Sequence, residues 1–158
     1  MKKLKYLFLI LILLLVGCKS NSKIKLINAV DSEEFYYTLN LEVRDDLKTN
    51  KSNGEFLFLE ILIEPRNNKR YKEINIEPIL KENLKSLLVE GIYDNFKTND
   101  SNIILDEFGD CNGVSLAKIF SVSSKEDIEE IKNILTNEGL EVLVTWKDGQ
   151  ERALVKYK

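Results

Sequence analysis

Leu140 to Tyr157 reads LEVLVTWKDGQERALVKY, two alternating runs on either side of an Asp-Gly pair. Leu140, Val142, Val144 and Trp146 recur with period two, and so do Ala153, Val155 and Tyr157 beyond the turn. That period is the mark of a strand with one buried face. Asp148-Gly149 favours a two-residue hairpin turn, because such turns need positive φ at both central positions. Counting outward pairs Lys147 with Gln150, Trp146 with Glu151, Val144 with Ala153 and Val142 with Val155. The apolar residues of both strands then share a face, which makes the register self-consistent. Trp146 is expected in the core, facing Ala153 and Tyr157.

The next element upstream is a helix. Ser124 and Asp127 have the spacing of a capping box, Glu126 and Asp127 put negative charge in the first turn, and Gly139 ends the run. Ile128, Ile131, Ile134 and Leu135 form its apolar stripe. Val114–Val122 is predicted as a strand. Phe35–Arg44 alternates, with Phe35, Tyr37, Leu39, Leu41 and Val43 on one face and Thr38, Asn40, Glu42 and Arg44 on the other. Phe56–Ile63 is apolar on both faces apart from Glu60, which predicts a central strand covered on both sides. Pro65 stops it, and Tyr71–Glu77 is expected to return as its hairpin partner. Lys25–Val30 reads as a short first strand.

Pro78 is placed at the start of a second helix carrying Leu80, Leu84, Leu87 and Leu88, with Gly91 at its end. Asp94–Gly113 is irregular and polar, with a short strand expected at Ile103-Ile104-Leu105. These elements predict a mainly β domain over residues 24–158, an immunoglobulin-like antiparallel β-sandwich with two short helices. The alternative is an α+β fold, a single antiparallel sheet with both helices on one face.

Composition narrows the chemistry. The chain has 158 residues, 44% hydrophobic and 31% charged, as in ordinary soluble domains. It contains no His, so neither a Ser-His-Asp nor a Cys-His nucleophile can be assembled, nor a His-ligated zinc site. The abundance of Lys, Asn and Ile reflects an AT-rich genome rather than a function.

The N-terminus reads MKKLKYLFLILILLLVGCKS. Lys2, Lys3 and Lys5 precede an apolar run from Leu7 to Val16. As a helix that run reaches roughly 15 Å, about half of a ~30 Å hydrocarbon core, which suits a cleaved signal and not a span. Leu15-Val16-Gly17-Cys18 resembles the lipobox of bacterial lipoproteins. The resemblance implies cleavage between Gly17 and Cys18 and a diacylglyceryl thioether on the Cys18 sulfur. Residues 1–17 are then the signal peptide, and 18–23 a lipidated tether. Loss of 1–17 removes three Lys and no acid, taking the formal net charge from −3 to −6. An acidic body is repelled by anionic headgroups and by nucleic acid, so the lipid on Cys18 must hold the protein, and no nucleic-acid partner is expected.

A few residues could carry chemistry. Arg66, Lys69 and Arg70, with Lys72 nearby, make a basic loop that could grip an anionic wall polymer or an acidic protein. Asp94, Asn95, Asn99, Asp100, Asn102, Asp106, Glu107 and Asp110 crowd one segment without the spacing of a calcium loop, so neither metal nor cofactor is expected. Cys111 is left without a disulfide partner once Cys18 is lipidated. Glu60 inside an apolar strand needs a partner or a raised pKa, either of which can mark a site; the plainer expectation is an edge position, or pairing with a Lys or Arg of the next strand. The functional expectation is a membrane-anchored envelope lipoprotein with a non-enzymatic binding module. The alternative is a small carboxylate-based envelope enzyme, such as a glycan hydrolase.

Overall fold

The computed structural model describes residues 24–47, 54–88, 97–98, 104–105 and 111–158. The signal segment, Cys18, the tether, Gly91 and the acidic and amide residues from Asp94 to Asp110 lie outside the described residues.

The fold is mainly β with a few short helices, arranged as two facing sheets. One sheet has the order β1-β9-β8-β5, with β1 Leu26–Asn28, β5 Asn75–Ile79, β8 Leu140–Trp146 and β9 Gly149–Val155. The other has the order β2-β3-β7, with β2 Phe35–Val43, β3 Glu55–Pro65 and β7 Val114–Val122. A short pair, β4 Tyr71–Lys72 and β6 Ile104–Leu105, stands apart from both. The β1–β9 pair is parallel and every other pair is antiparallel.

One core joins the sheets. Leu39, Leu57, Leu59, Ile61, Ile63 and Phe120 from one side meet Ile76, Leu140, Val142, Val144 and Val155 from the other. Helix α1 (Glu82–Lys85) contributes Leu84 to this core. Helix α2 (Lys125–Asn137) links the two sheets and buries Ile128, Ile131, Ile134 and Leu135, the stripe its spacing predicts. Ser124 Oγ accepts from the Asp127 N–H at 3.1 Å, and Gly139 ends the helix with φ +79°.

Five expectations are corrected. The terminal hairpin forms, but Trp146 pairs with Gly149, so the turn is Lys147-Asp148 and the register is displaced by two residues. A two-residue displacement keeps every side chain on its predicted face. Its cause is the Trp146 ring, which lies on Gly149; a Cβ there would be 2.5 Å from Trp146 Cζ2. Trp146 accordingly packs on Phe35 and Tyr71, with ring centroids 5.3 and 5.5 Å away, and not on Ala153 and Tyr157.

Tyr71–Glu77 does not return beside Phe56–Ile63. The chain breaks at Glu73, whose φ is 58°, and β5 joins β8 in the opposite sheet. Pro78 lies within β5 and not at a helix start. It is tolerated because β5 is an edge strand, and Ile76, of the same parity, bonds Thr98 on the open side instead of β8. Finally, β3 is buried on one face only: Leu57, Leu59, Ile61 and Ile63 are buried, while Phe56, Phe58, Glu60 and Leu62 are half-buried on the outer face.

Candidate functional site

Strand β2 is the edge of its sheet, and its backbone polarity follows from its register. The Arg44 N–H donates to the Phe56 carbonyl and the Arg66 N–H to the Glu34 carbonyl, both at 2.8 Å. Even-numbered residues therefore face β3. The N–H and C=O groups of Tyr37, Leu39 and Leu41 point to the open edge, where no described group bonds them. Phe35, first in the series, is capped by Ser32 Oγ at 2.9 Å.

A cleft opens along this edge. Its longer part, about 550 Å³, runs past Tyr37 to Glu42 and is bounded by Phe58, Glu60 and Lys156–Lys158. An adjoining chamber of about 440 Å³ shares Tyr37 and Lys156–Lys158 and adds Tyr36, Val30, Arg66 and Thr136. The chain end beyond β9 is positioned by α2, since the Tyr157 N–H donates to the Leu135 carbonyl at 3.0 Å.

The chamber's charge is one-sided. Arg66, Lys156 and Lys158 line it, no acidic side chain does, and none of the three forms an ion pair among the described residues. Arg66 stacks over the Tyr36 ring at 4.4 Å and donates from Nη1 to the Val30 carbonyl at 3.0 Å. Its Nε–H is enclosed and has no acceptor among the described residues. A buried donor left unmet is unfavourable by about 1–3 kcal/mol.

Behind the cleft, two carboxylates hold the ends of the sheets together. Glu151 accepts from Ser32 Oγ and from the Tyr37 hydroxyl, each at 2.7 Å. Glu34 accepts from Lys69 Nζ at 2.7 Å, from Asn67 Nδ2 at 3.0 Å and from the Tyr71 hydroxyl. Burial pushes Glu34 upward, but the bonds from Lys69, Tyr71 and Asn67 outweigh it and hold the carboxyl below its ordinary value. Burial, and then the hydrogen bond and charge of Glu151, push Tyr37 far up; burial and Glu34 do the same to Tyr71. Both tyrosines are neutral donors.

The predicted basic loop is divided by the structure. Arg66 turns into the chamber, Lys69 is paired with Glu34, and Arg70 is exposed. Among the described residues Glu60 finds neither Lys nor Arg: it accepts from Ser115 Oγ and from Asn40 Nδ2 across the outer face, which holds it below its ordinary value. Cys111 is a free, half-buried thiol whose Sγ lies 2.9 Å from the Gly113 carbonyl. Lys156 and Lys158 were missed by sequence reasoning. Their signal is the period of β9 continuing past its end, with Val155 and Tyr157 alternating with the two lysines. The chain matches no family model, and no curated protein or solved structure matches it.

Proposed function

We propose that this chain is a lipid-anchored envelope lipoprotein whose mature domain is a non-enzymatic binding module, with the β2 cleft as its binding site. The single observation that carries the binding reading is the chamber of unpaired cations. Arg66, Lys156 and Lys158 stand together on an acidic domain with no acidic side chain of the described residues among them. A protein of this balance has acids to spare for neutralising them, so their separation favours an anionic ligand.

The lipobox-like Leu15–Cys18 supports the anchor, and the tether from Lys19 to Lys23 extends at most ~18 Å. The cleft therefore works close to a membrane surface, facing other envelope components. The carboxylate-enzyme reading has less support. A general acid needs a raised pKa, whereas Glu34 and Glu60 are both held low by hydrogen bonds.

The test is photo-crosslinking in the native envelope, with a benzophenone amino acid at Tyr36 or Thr136 in the cleft and, as the control, at the exposed Glu126 at the far end of α2. The reading expects a discrete adduct from Tyr36 and Thr136 that Glu126 does not give. Identical patterns from all three positions would contradict it.

A further inference from the structure

The cleft joins two features that one kind of ligand would satisfy together. Along one wall, the N–H and C=O groups of Tyr37, Leu39 and Leu41 form half of a β-ladder that no described residue fills. At the Tyr36–Tyr37 end, the adjoining chamber gathers Arg66, Lys156 and Lys158. We propose that the cleft takes the C-terminal end of an extended polypeptide, added as a strand antiparallel to β2, with its terminal carboxylate in the Arg66/Lys156/Lys158 chamber. This deepens the binding-module reading and rests on it.

The backbone argument selects a polypeptide. An exposed strand edge is a template for another chain, and proteins that do not use one block it with bulges, prolines or lysines directed outward. Strand β2 has none of these between Phe35 and Val43. The wall from Tyr37 to Glu42 is about 20 Å long at ~3.3 Å per residue, room for five or six residues of partner. A glycan or a lipid headgroup does not repeat donor and acceptor at the spacing of Tyr37, Leu39 and Leu41.

The charge argument selects the terminus. Side chains of an added strand project perpendicular to the sheet, above and below it. A chamber adjoining the N-terminal end of β2 is reached by the main chain of an antiparallel partner, whose C-terminus arrives there. The group a polypeptide delivers at that end is a carboxylate, and Arg66 with two lysines is a cation set suited to it. Tyr36, Tyr37 and Tyr157 supply apolar surface around the last side chain.

The experiment uses the full-length lipidated protein in phosphatidylcholine nanodiscs. The probe is a pool of random hexapeptides, immobilised through their N-termini and bearing free C-terminal carboxylates, beside the same pool as C-terminal amides. The proposal expects peptides enriched from the acid pool to bind about tenfold or more weakly as amides, and as weakly to Arg66→Gln. N-methylation of the enriched peptides should abolish binding at alternate residues and be tolerated at those between, because only every second N–H faces β2. Equal binding of acid and amide, N-methyl effects without alternation, or no enriched peptide would each overturn it. So would a dimer of the full-length protein that shields the Tyr37, Leu39 and Leu41 amides from exchange and excludes peptide. Should peptides fail while Tyr36 still crosslinks discretely in the envelope, the binding module stands and the peptide assignment falls.

Discussion

Replacing Gly149 by Ala tests the hairpin where the structure departs from the turn signal. Gly149 opposes Trp146, and an added Cβ would lie 2.5 Å from Cζ2, 2.7 Å from Cε2 and 2.9 Å from Nε1 of the indole. The ring has little freedom to retreat, because Phe35 and Tyr71 press on it with centroids at 5.3 and 5.5 Å. Overpacking of this kind is unfavourable by about 1–3 kcal/mol. For a domain of this size that lowers the melting temperature by roughly 3–15 °C. Trp146 is the only tryptophan, so its fluorescence reports the melt and the displacement of the ring together. Gly149→Asn separates the two registers. Were Asp148-Gly149 the turn, Asn would be tolerated at positive φ and would largely restore stability; with the ring on Gly149, Asn destabilises about as much as Ala. Wild-type melting and emission in Gly149→Ala, or selective rescue by Asn, would refute the reasoning.

Two further outcomes follow from the network behind the cleft and from the outer face. Glu34 is held below its ordinary value of 4.5, so its contribution is present above that pH and is lost as pH falls through the lower folded value. Tyr37 and Tyr71 are raised above 10.0, so their contribution is present below that pH and is lost as pH rises above it. Melting temperature against pH should therefore fall at both ends, Glu34→Gln flattening the acid limb and Tyr37→Phe the alkaline one; unchanged limbs would contradict the assignments. On the outer face of β8 and β9, Arg152 pairs with Glu141, whose side chain is 10% exposed. Arg152→Met should destabilise by about 1–2 kcal/mol, the exposure of Arg152 moderating the loss, and adding Glu141→Leu should restore most of it in denaturant titrations.

The parts of the fold that sequence revealed were those decided by local periodicity. Phe35–Val43, Val114–Val122 and α2 lie where alternation, stripe and cap place them, because each element's own residues specify its buried face. The parts it concealed depended on contacts distant in the chain. Nothing near Tyr71–Glu77 announces that the strand breaks at Glu73 and leaves for β8, and Pro78 is acceptable in β5 only because that strand is an edge. Glu60 stood out as a charge in an apolar run, yet its partners Asn40 and Ser115 come from both neighbouring strands, which a single-strand reading cannot supply. The cleft was half legible. Arg66 drew notice as part of a basic loop, whereas its companions Lys156 and Lys158 lie some ninety residues on.

The proposed placement at a membrane rests on one sulfur, so metabolic labelling with an alkyne fatty acid is the most direct measurement. The wild-type chain and Cys18→Ser are expressed in a bacterial envelope, tagged at the C-terminus, and compared by label and by partition into detergent. Two acyl chains make a stable anchor, since each buried CH₂ contributes about 0.8 kcal/mol and one chain alone is marginal. The account predicts label and detergent partition for the wild type. For Cys18→Ser it predicts no label, with the chain either retained uncut through Leu7–Val16 or released by another protease. A Cys18→Ser protein that still takes up label and migrates as the wild type does would contradict it.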